Sequence, residues 1–423
     1  MSSVVSDLLR DIALPKMVKI AQKFPRPRID DIPSAVHSEV NKPEIATTIK
    51  PGQKIAITVG SRGIANIALI TKELVKAVKT LGGEPFIIPT MGSHGGATAE
   101  GQVEVLYSLG VTEEYIEAPI KATMEVVKIG ETEDGRPVLI DKYGAEADGI
   151  IVLGRIKPHT AFRGKYESGL MKMMTIGLGK QKGADTCHEA GFKHMAYNVP
   201  LFANAILKNA NILFGVALVE NPYDETCKIV ALTKEEIPEK EPDLLLEAKE
   251  LMPKIKFSNF DVLIVDQIGK NISGDGMDPN ITATYCTPYA SGGPKIQRIV
   301  VLDLTEETHG NANGMGMADF TTKRLFEKAD LEKTYPNALT STVPHTVKIP
   351  MILKNDREAI AAAIKTCNEI DKKNPRIVRI KNSLHIDEIY ISEALLEEAK
   401  NDPDIEILEE PKYMQFDGNG NLF

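Results

Sequence analysis

Apolar residues in this chain fall in short continuous runs separated by longer stretches of mixed polarity. Lys54-Ile55-Ala56-Ile57-Thr58-Val59-Gly60 and Gly149-Ile150-Ile151-Val152-Leu153-Gly154 are two such runs, each closed by glycine. A strand with no polar alternation fits a sheet covered on both faces. Residues 64–80 carry apolar positions at helical spacing, and Gly82-Gly83 ends that helix by admitting a left-handed residue. Glu84 to Met91 reads as a strand, Gly92 to Gly96 as a tight loop, and 97–109 as a second helix. This strand–helix–strand–helix order predicts a parallel sheet with helices on both sides.

Further on, the pattern predicts a partly apolar helix after Lys172, a glycine-lysine loop to Gly183, and a helix from about Cys187 to Ala210. Strands are expected at 212–219 and 228–232. The charged segment 235–254 reads as a surface helix leading to a linker. A second block opens with a strand at 260–266, followed by a glycine- and proline-rich loop from Asn271 to Gly293. It continues with a strand at 298–304 and a glycine-rich turn from Thr308 to Gly316. Helices are expected at 318–328, 357–367 and 392–400, and strands at 377–380 and 388–391. The first fifty residues, rich in proline and charge, are expected to wrap over the first domain. The class is α/β, with two domains, 1–256 and 257–423, mainly parallel sheets and an active-site cleft between the domains.

Composition narrows this little. Apolar residues make up 43% and charged residues 26%, an ordinary globular balance. The net charge of -9 disfavours a nucleic-acid partner, which would want a basic face. Cys187, Cys227, Cys286 and Cys367 form no C-x-x-C pair, so a reducing cytoplasm is the expected compartment. No apolar run reaches the roughly 18 residues a membrane helix needs, so no membrane partner is expected.

The chemistry concentrates behind the strand at 149–154. From Arg155 to His188 the chain places two histidines, two arginines and five lysines among glycines. Three strand ends carry a polar residue in a glycine turn: Arg62, His94 and His159. Loops at the carboxyl ends of parallel strands share one edge of the sheet, where ligands bind. One histidine in a loop is more often a cap or a surface residue. Two at equivalent strand ends beside an arginine point to acid/base chemistry, because imidazole titrates near neutral pH. Lys172 sits among Leu170, Met171, Met173 and Met174, and desolvation makes such a lysine a candidate nucleophile or covalent anchor. His37, His194, His345 and His385 have no such company and read as structural; the role of His309 and its glycine-rich turn stays open. The residues alone lead to an α/β enzyme acting on an anionic small molecule.

These motifs together resemble the nickel-dependent lactate racemase family. They are Gly92-Ser93-His94, Pro158-His159 leading through Ser168-Gly169 to Lys172, His188 sixteen positions later, and Gln267-Ile268-Gly269-Lys270. The resemblance spans nearly the whole chain. It implies nickel in a nickel-pincer nucleotide (pyridinium-3,5-bisthiocarboxylic acid mononucleotide) covalently linked to Lys172, with Ser168 and Gly169 beside it and His188 as metal ligand. It implies His94 and His159 as two acid/bases, and Arg62, Gln267 and Lys270 as substrate-binding residues. The chain departs from the family pattern in having Gly169-Leu170-Met171 before the lysine, no acidic residue just upstream of Arg62, and no tryptophan.

The reaction implied is inversion at C2 of a 2-hydroxy acid, lactate-like or a sugar acid, by hydride transfer, with one histidine serving each enantiomer. Gly164 and Gly169 are expected to let backbone approach the cofactor, and Lys180 or Lys182 to meet its phosphate. Two other readings differ in kind: a hydrolase or lyase with a metal held by His94, His159 and His188, and a binding protein for an acidic metabolite.

Overall fold

The protein is described here from a computed structural model covering residues 3–61 and 63–422. It divides into two compact units, residues 25–252 and residues 1–24 with 253–423. Among the described residues no helix is long and apolar enough to cross a membrane.

The 25–252 unit is built on a five-stranded sheet. Its order is Glu84–Pro89, Lys54–Val59, Gly149–Arg155, Ile212–Glu220, Thr226–Thr233. The first four strands run parallel and the last is antiparallel to its neighbour. The central run 149–155 is apolar throughout because each face meets its own core. Ile150 and Val152 join Leu170, Met174, Phe202 and Leu245, while Ile151 and Leu153 join Ile70, Leu74 and Val36 on the other side. A separate hairpin, Val126–Glu131 with Pro137–Asp141, lay outside the predicted elements. Its first strand is largely solvent-facing, so little hydrophobic signal marked it.

Two local readings are corrected. The expected glycine-lysine loop at 179–183 instead opens the helix Lys180–His188. Gly179 and Gly183 serve close backbone approach, since a Cβ on Gly179 would lie 3.0 Å from Gly183 Cα. The helix expected at 318–328 begins as a buried strand, Phe320–Thr322, and turns helical only at Lys323, where the Thr322 hydroxyl accepts the Leu325 N–H.

The other unit holds a nine-stranded sheet. Met351–Leu353, Phe320–Thr322, Lys295–Leu304, Asn259–Ile268 and Ile377–Ile380 are parallel. Glu388–Ser392, Lys16–Gln22 and Ile405–Ile407 continue it antiparallel, and Lys412–Tyr413 also pairs with Lys16–Gln22. Of the N-terminal segment expected to wrap over the first domain, Lys16–Gln22 therefore does not, whereas residues 25–50 belong to that unit and put Ile32, Val36, Val40 and Ile45 into its core. Val18 and Ile20 are fully buried in this second sheet. A single boundary at 256 missed this, because the partners of Lys16–Gln22 lie at the far end of the chain.

Candidate active site

Three neighbouring parallel strands of the 25–252 unit end at one edge: Glu84–Pro89, Lys54–Val59 and Gly149–Arg155. Their loops carry His94, Ser61 and His159. Arg62, the predicted substrate-binding arginine, lies outside the described residues.

The Gly92–Gly96 loop is fastened to its surroundings. Gly92 has φ +59, and a Cβ there would touch Ile176 and Ala184. Gln102 Nε2 donates to the carbonyl of Gly92 at 2.9 Å and to that of His94 at 3.3 Å. Behind Gln102 stands Lys180, fully buried, whose Nζ donates to Gln102 Oε1 at 3.1 Å and to the Pro89 carbonyl. Lys180 also lies 2.9 Å from Asp141 Oδ2. Burial pushes the Asp141 carboxyl up and the Lys180 ammonium down, each opposed by the charge of the other. Lys180 is committed to this buried pair, so the expectation that it meets a phosphate is corrected; Lys182 is exposed, with nothing to place it near one. Ser61 Oγ lies 2.5 Å from His94 Nδ1.

His159 stands in a loop closed at its base by two hydrogen bonds between Lys157 and Ser168. Ser168 makes this closure through its backbone. Inside the loop, Glu167 is fully buried and accepts from the His159 N–H at 2.8 Å and from Lys249 Nζ at 2.7 Å. Arg163 lies 3.4 Å from the same carboxylate. The ring of His159 accepts at Nδ1 from the Ala161 N–H at 3.0 Å. It also packs on Phe162 and Phe192, with centroids 4.5 and 6.1 Å away. Gly164 leaves room for Ala196, whose Cβ would lie 3.0 Å from a Cβ at this position.

Lys172 ends the short helix Leu170–Lys172, which continues directly into a wide π-turn, Met173–Leu178. Such turns are rare and cluster at functional sites. Gly169 precedes them, and a Cβ there would lie 2.3 Å from Glu241 Oε1. Gly169 therefore makes room for Glu241. Glu241 belongs to the helix Glu236–Glu250 and accepts from the Met171 N–H at 2.9 Å. The same helix takes the Tyr166 hydroxyl on the Pro238 carbonyl and supplies Lys249 to Glu167. The segment expected to be a surface helix thus braces both the His159 loop and the Lys172 turn.

His188 ends the helix Lys180–His188, with its Nδ1 2.8 Å from the Ala184 carbonyl. A carbonyl can only accept, so Nδ1 carries the proton and the Nε2 lone pair is left for a metal. Burial first, and the positive charge of Lys172 second, push its pKa down to about 4. The imidazole is therefore neutral at physiological pH, the form that ligates metals. The Phe192 ring centroid lies 5.6 Å from that of His188 and 6.1 Å from that of His159. The chain so brings Ser61 against His94 and joins His159 to His188 through Phe192, with Lys172 acting on His188.

Gln267 and Lys270 lie in the other unit, at the end of Asn259–Ile268 and just beyond it. Gln267 is held in the sheet by its N–H to the Lys381 carbonyl. Lys270 donates from Nζ to the Gly274 carbonyl at 2.7 Å and from its backbone to Thr308 Oγ1. The glycine-rich turn after His309 packs on this loop: Asn313 Nδ2 donates to the same Gly274 carbonyl at 2.9 Å.

Sequence reading did not find Ser61, Glu167 or Glu241, and it gave Lys180 a different role. Glu241 left a trace. It falls on the stripe Ile237, Glu241, Leu244, Leu245, Ala248, a carboxylate among positions that are otherwise apolar.

Residues 13–198 match the lactate racemase N-terminal domain family. The fold of the chain is similar to that of the lactate racemase apoprotein from Thermoanaerobacterium thermosaccharolyticum, with a TM-score of 0.52 and 14% identity, covering 87% of this chain and 98% of that one. No curated protein matches the chain.

Proposed function

We propose that this protein is a racemase or epimerase inverting C2 of a 2-hydroxy acid, and that it works with nickel held in a pincer nucleotide joined to Lys172. The observation that carries this reading is the pairing of Lys172 with His188. The lysine lies close enough to depress the histidine's pKa, and the histidine's Nδ1 contact with Ala184 O leaves Nε2 for a metal. A pincer ligand brings donor atoms of its own and needs few from the protein. That suits this site, since among the described residues no three of His, Cys, Asp or Glu are grouped to hold a metal ion. The same geometry disfavours a hydrolase or lyase with a metal shared by His94, His159 and His188.

When bound, the group supplies an acceptor for hydride. Hydride chemistry suits a 2-hydroxy acid, because removing the C2 hydrogen as a proton would build negative charge beside a carboxylate. The chain's own part is to hold the substrate and to manage the hydroxyl proton, with His94 and His159 as the groups at the strand ends. The bidentate fork of Arg62 suits the substrate carboxylate.

The test is to produce the protein in a host that makes the cofactor, then measure nickel, the mass of the peptide containing Lys172, and racemisation of a panel of 2-hydroxy acids by chiral chromatography. Nickel, a mass increment on Lys172 and turnover of at least one acid are expected. Absence of all three would sink the reading; ligand binding without turnover would favour a binding protein.

A further inference from the structure

The side chain of Glu167 is fully buried, yet two cations share it. Its Oε2 accepts the backbone N–H of His159 at 2.8 Å and lies 3.4 Å from Arg163 Nη1. Its Oε1 accepts from Lys249 Nζ at 2.7 Å and lies 3.4 Å from the backbone nitrogen of Gly164. Arg163 Nη1 also donates to the carbonyl of His159. The N–H and the C=O of the histidine are thus gripped by one ion pair from its own loop. Lys249 reaches this pair from the helix Glu236–Glu250, 82 positions along the chain from Glu167. On the same helix Glu241 accepts the Met171 N–H at 2.9 Å.

A buried carboxylate loses its hydration and persists only with good partners. The loop is closed without it. The Lys157–Ser168 bridge joins its base, Phe162 and Tyr166 are buried in the core, and the Tyr166 hydroxyl donates to the Pro238 carbonyl at 2.6 Å. What the carboxylate adds is a fixed backbone at His159, whose ring is then held by the Ala161 N–H at Nδ1 and by Phe162. Resting on the racemase reading, we propose that Glu167, with Lys249 behind it and Arg163 beside it, is a positioning residue for His159. The clamp keeps the imidazole at the strand-end edge, where it and His94 manage the hydroxyl proton, and it acts through the histidine's backbone. Because Lys249 rides on the helix that also holds Met171, the histidine and the Lys172 turn are set by the same strut.

Two measurements on Lys249→Met, Lys249→Arg and Arg163→Met test the proposal. Lys249→Met leaves Glu167 its Arg163, and the lysine side chain is 34% exposed, outside the closed core, so the variant is expected to fold. Arg163→Met gives the same readings from the other cation. In apo protein the Cε1–H resonance of His159 is expected to shift and broaden in Lys249→Met and to return in Lys249→Arg. That of His94, fastened through Ser61 and Gln102, is expected to stay. A His159 resonance unmoved in both methionine variants would overturn the proposal, whether or not the protein proves to be a racemase. In nickel-loaded enzyme, on whichever 2-hydroxy acid the wild type turns over, Lys249→Met is expected to keep its nickel and the mass increment on Lys172. Its kcat is expected to fall ~10–100-fold with little change in KM, the scale set by a misplaced catalytic group, and to recover most of that in Lys249→Arg. Wild-type kcat in loaded Lys249→Met, or a lowered denaturation midpoint as the only change, would reduce the clamp to a stabilising feature and overturn the proposal. A wild type with no turnover would instead reject the racemase reading and leave the resonances to decide the clamp.

Discussion

Glu241 Oε2 accepts the main-chain N–H of Met171 at 2.9 Å, with Gly169 stripped of a side chain to let it in. The carboxyl is fully enclosed, and its Oε1 has no hydrogen-bond partner. Burial pushes its pKa up to about 8, against the pull of the Met171 and Leu170 amides. The folded state thus binds this proton more tightly than the unfolded chain, whose carboxyl titrates near the ordinary value of 4.5. Stability from this group is full below about pH 4.5 and falls as pH rises to about 8, by up to ~1.4 kcal/mol per unit. Glu241→Gln is expected to remove that slope, measured as the difference between wild-type and variant denaturation midpoints across this range. Parallel curves would reject the assignment.

The converse contact gives a second prediction. Gly169→Ala places a methyl 2.3 Å from Glu241 Oε1, and the glycine's φ of 174° is ordinary extended backbone. The penalty is steric, not conformational, and is expected at ~1–3 kcal/mol for overpacking in a closed core. Gly169→Ala combined with Glu241→Ala should cost less than the two single changes added. Strict additivity in a double-mutant cycle would mean the two residues do not meet.

Much of the fold was legible because the central strands advertise themselves. The run at 149–155 reads as a doubly covered strand, and the glycine turns after its neighbours marked the edge where Ser61 and His94 lie. What stayed hidden depends on partners remote in sequence. Lys16–Gln22 alternates weakly and acquires meaning only beside Glu388–Ser392. Lys180 looks like any lysine after a glycine, and only folding brings Asp141 and Gln102 to it. In the site, the types and order of residues were readable from the motifs. The supporting carboxylates Glu167 and Glu241 were not, since charge in a chain normally signals solvent.

Lys180 offers a third prediction. Lys180→Met leaves Asp141 as a buried carboxylate without its cation, which should cost ~3–5 kcal/mol. Lys180→Met with Asp141→Asn removes both charges and should recover part of that loss, as read by denaturant titration. The double variant still lacks the hydrogen bond to Gln102 that backs the Gly92–His94 loop, so its activity should stay low even where stability returns.

The last prediction concerns the other unit and the turn after His309. Asn313 is buried; its Nδ2 donates to the Gly274 carbonyl and its Oδ1 accepts from Thr346 Oγ1 at 2.9 Å. The turn and the 274–276 loop are interlocked. Gly314 sits at φ +103, and a Cβ on it would lie 1.8 Å from the Asp275 carbonyl oxygen. Lys270 Nζ shares the Gly274 carbonyl with Asn313, so the turn fixes where the lysine's loop runs. Asn313→Ala removes two hydrogen bonds, though the Gly274 carbonyl keeps Lys270 and the Thr346 hydroxyl keeps the Val343 carbonyl, and should cost ~1 kcal/mol. More tellingly, amide hydrogen exchange should quicken at Lys270 and Gly276, whose N–H groups are tied to Thr308 and Ser273, while the strand Asn259–Ile268 keeps its protection. Unchanged exchange in 270–276 would show that the turn is not what holds this loop.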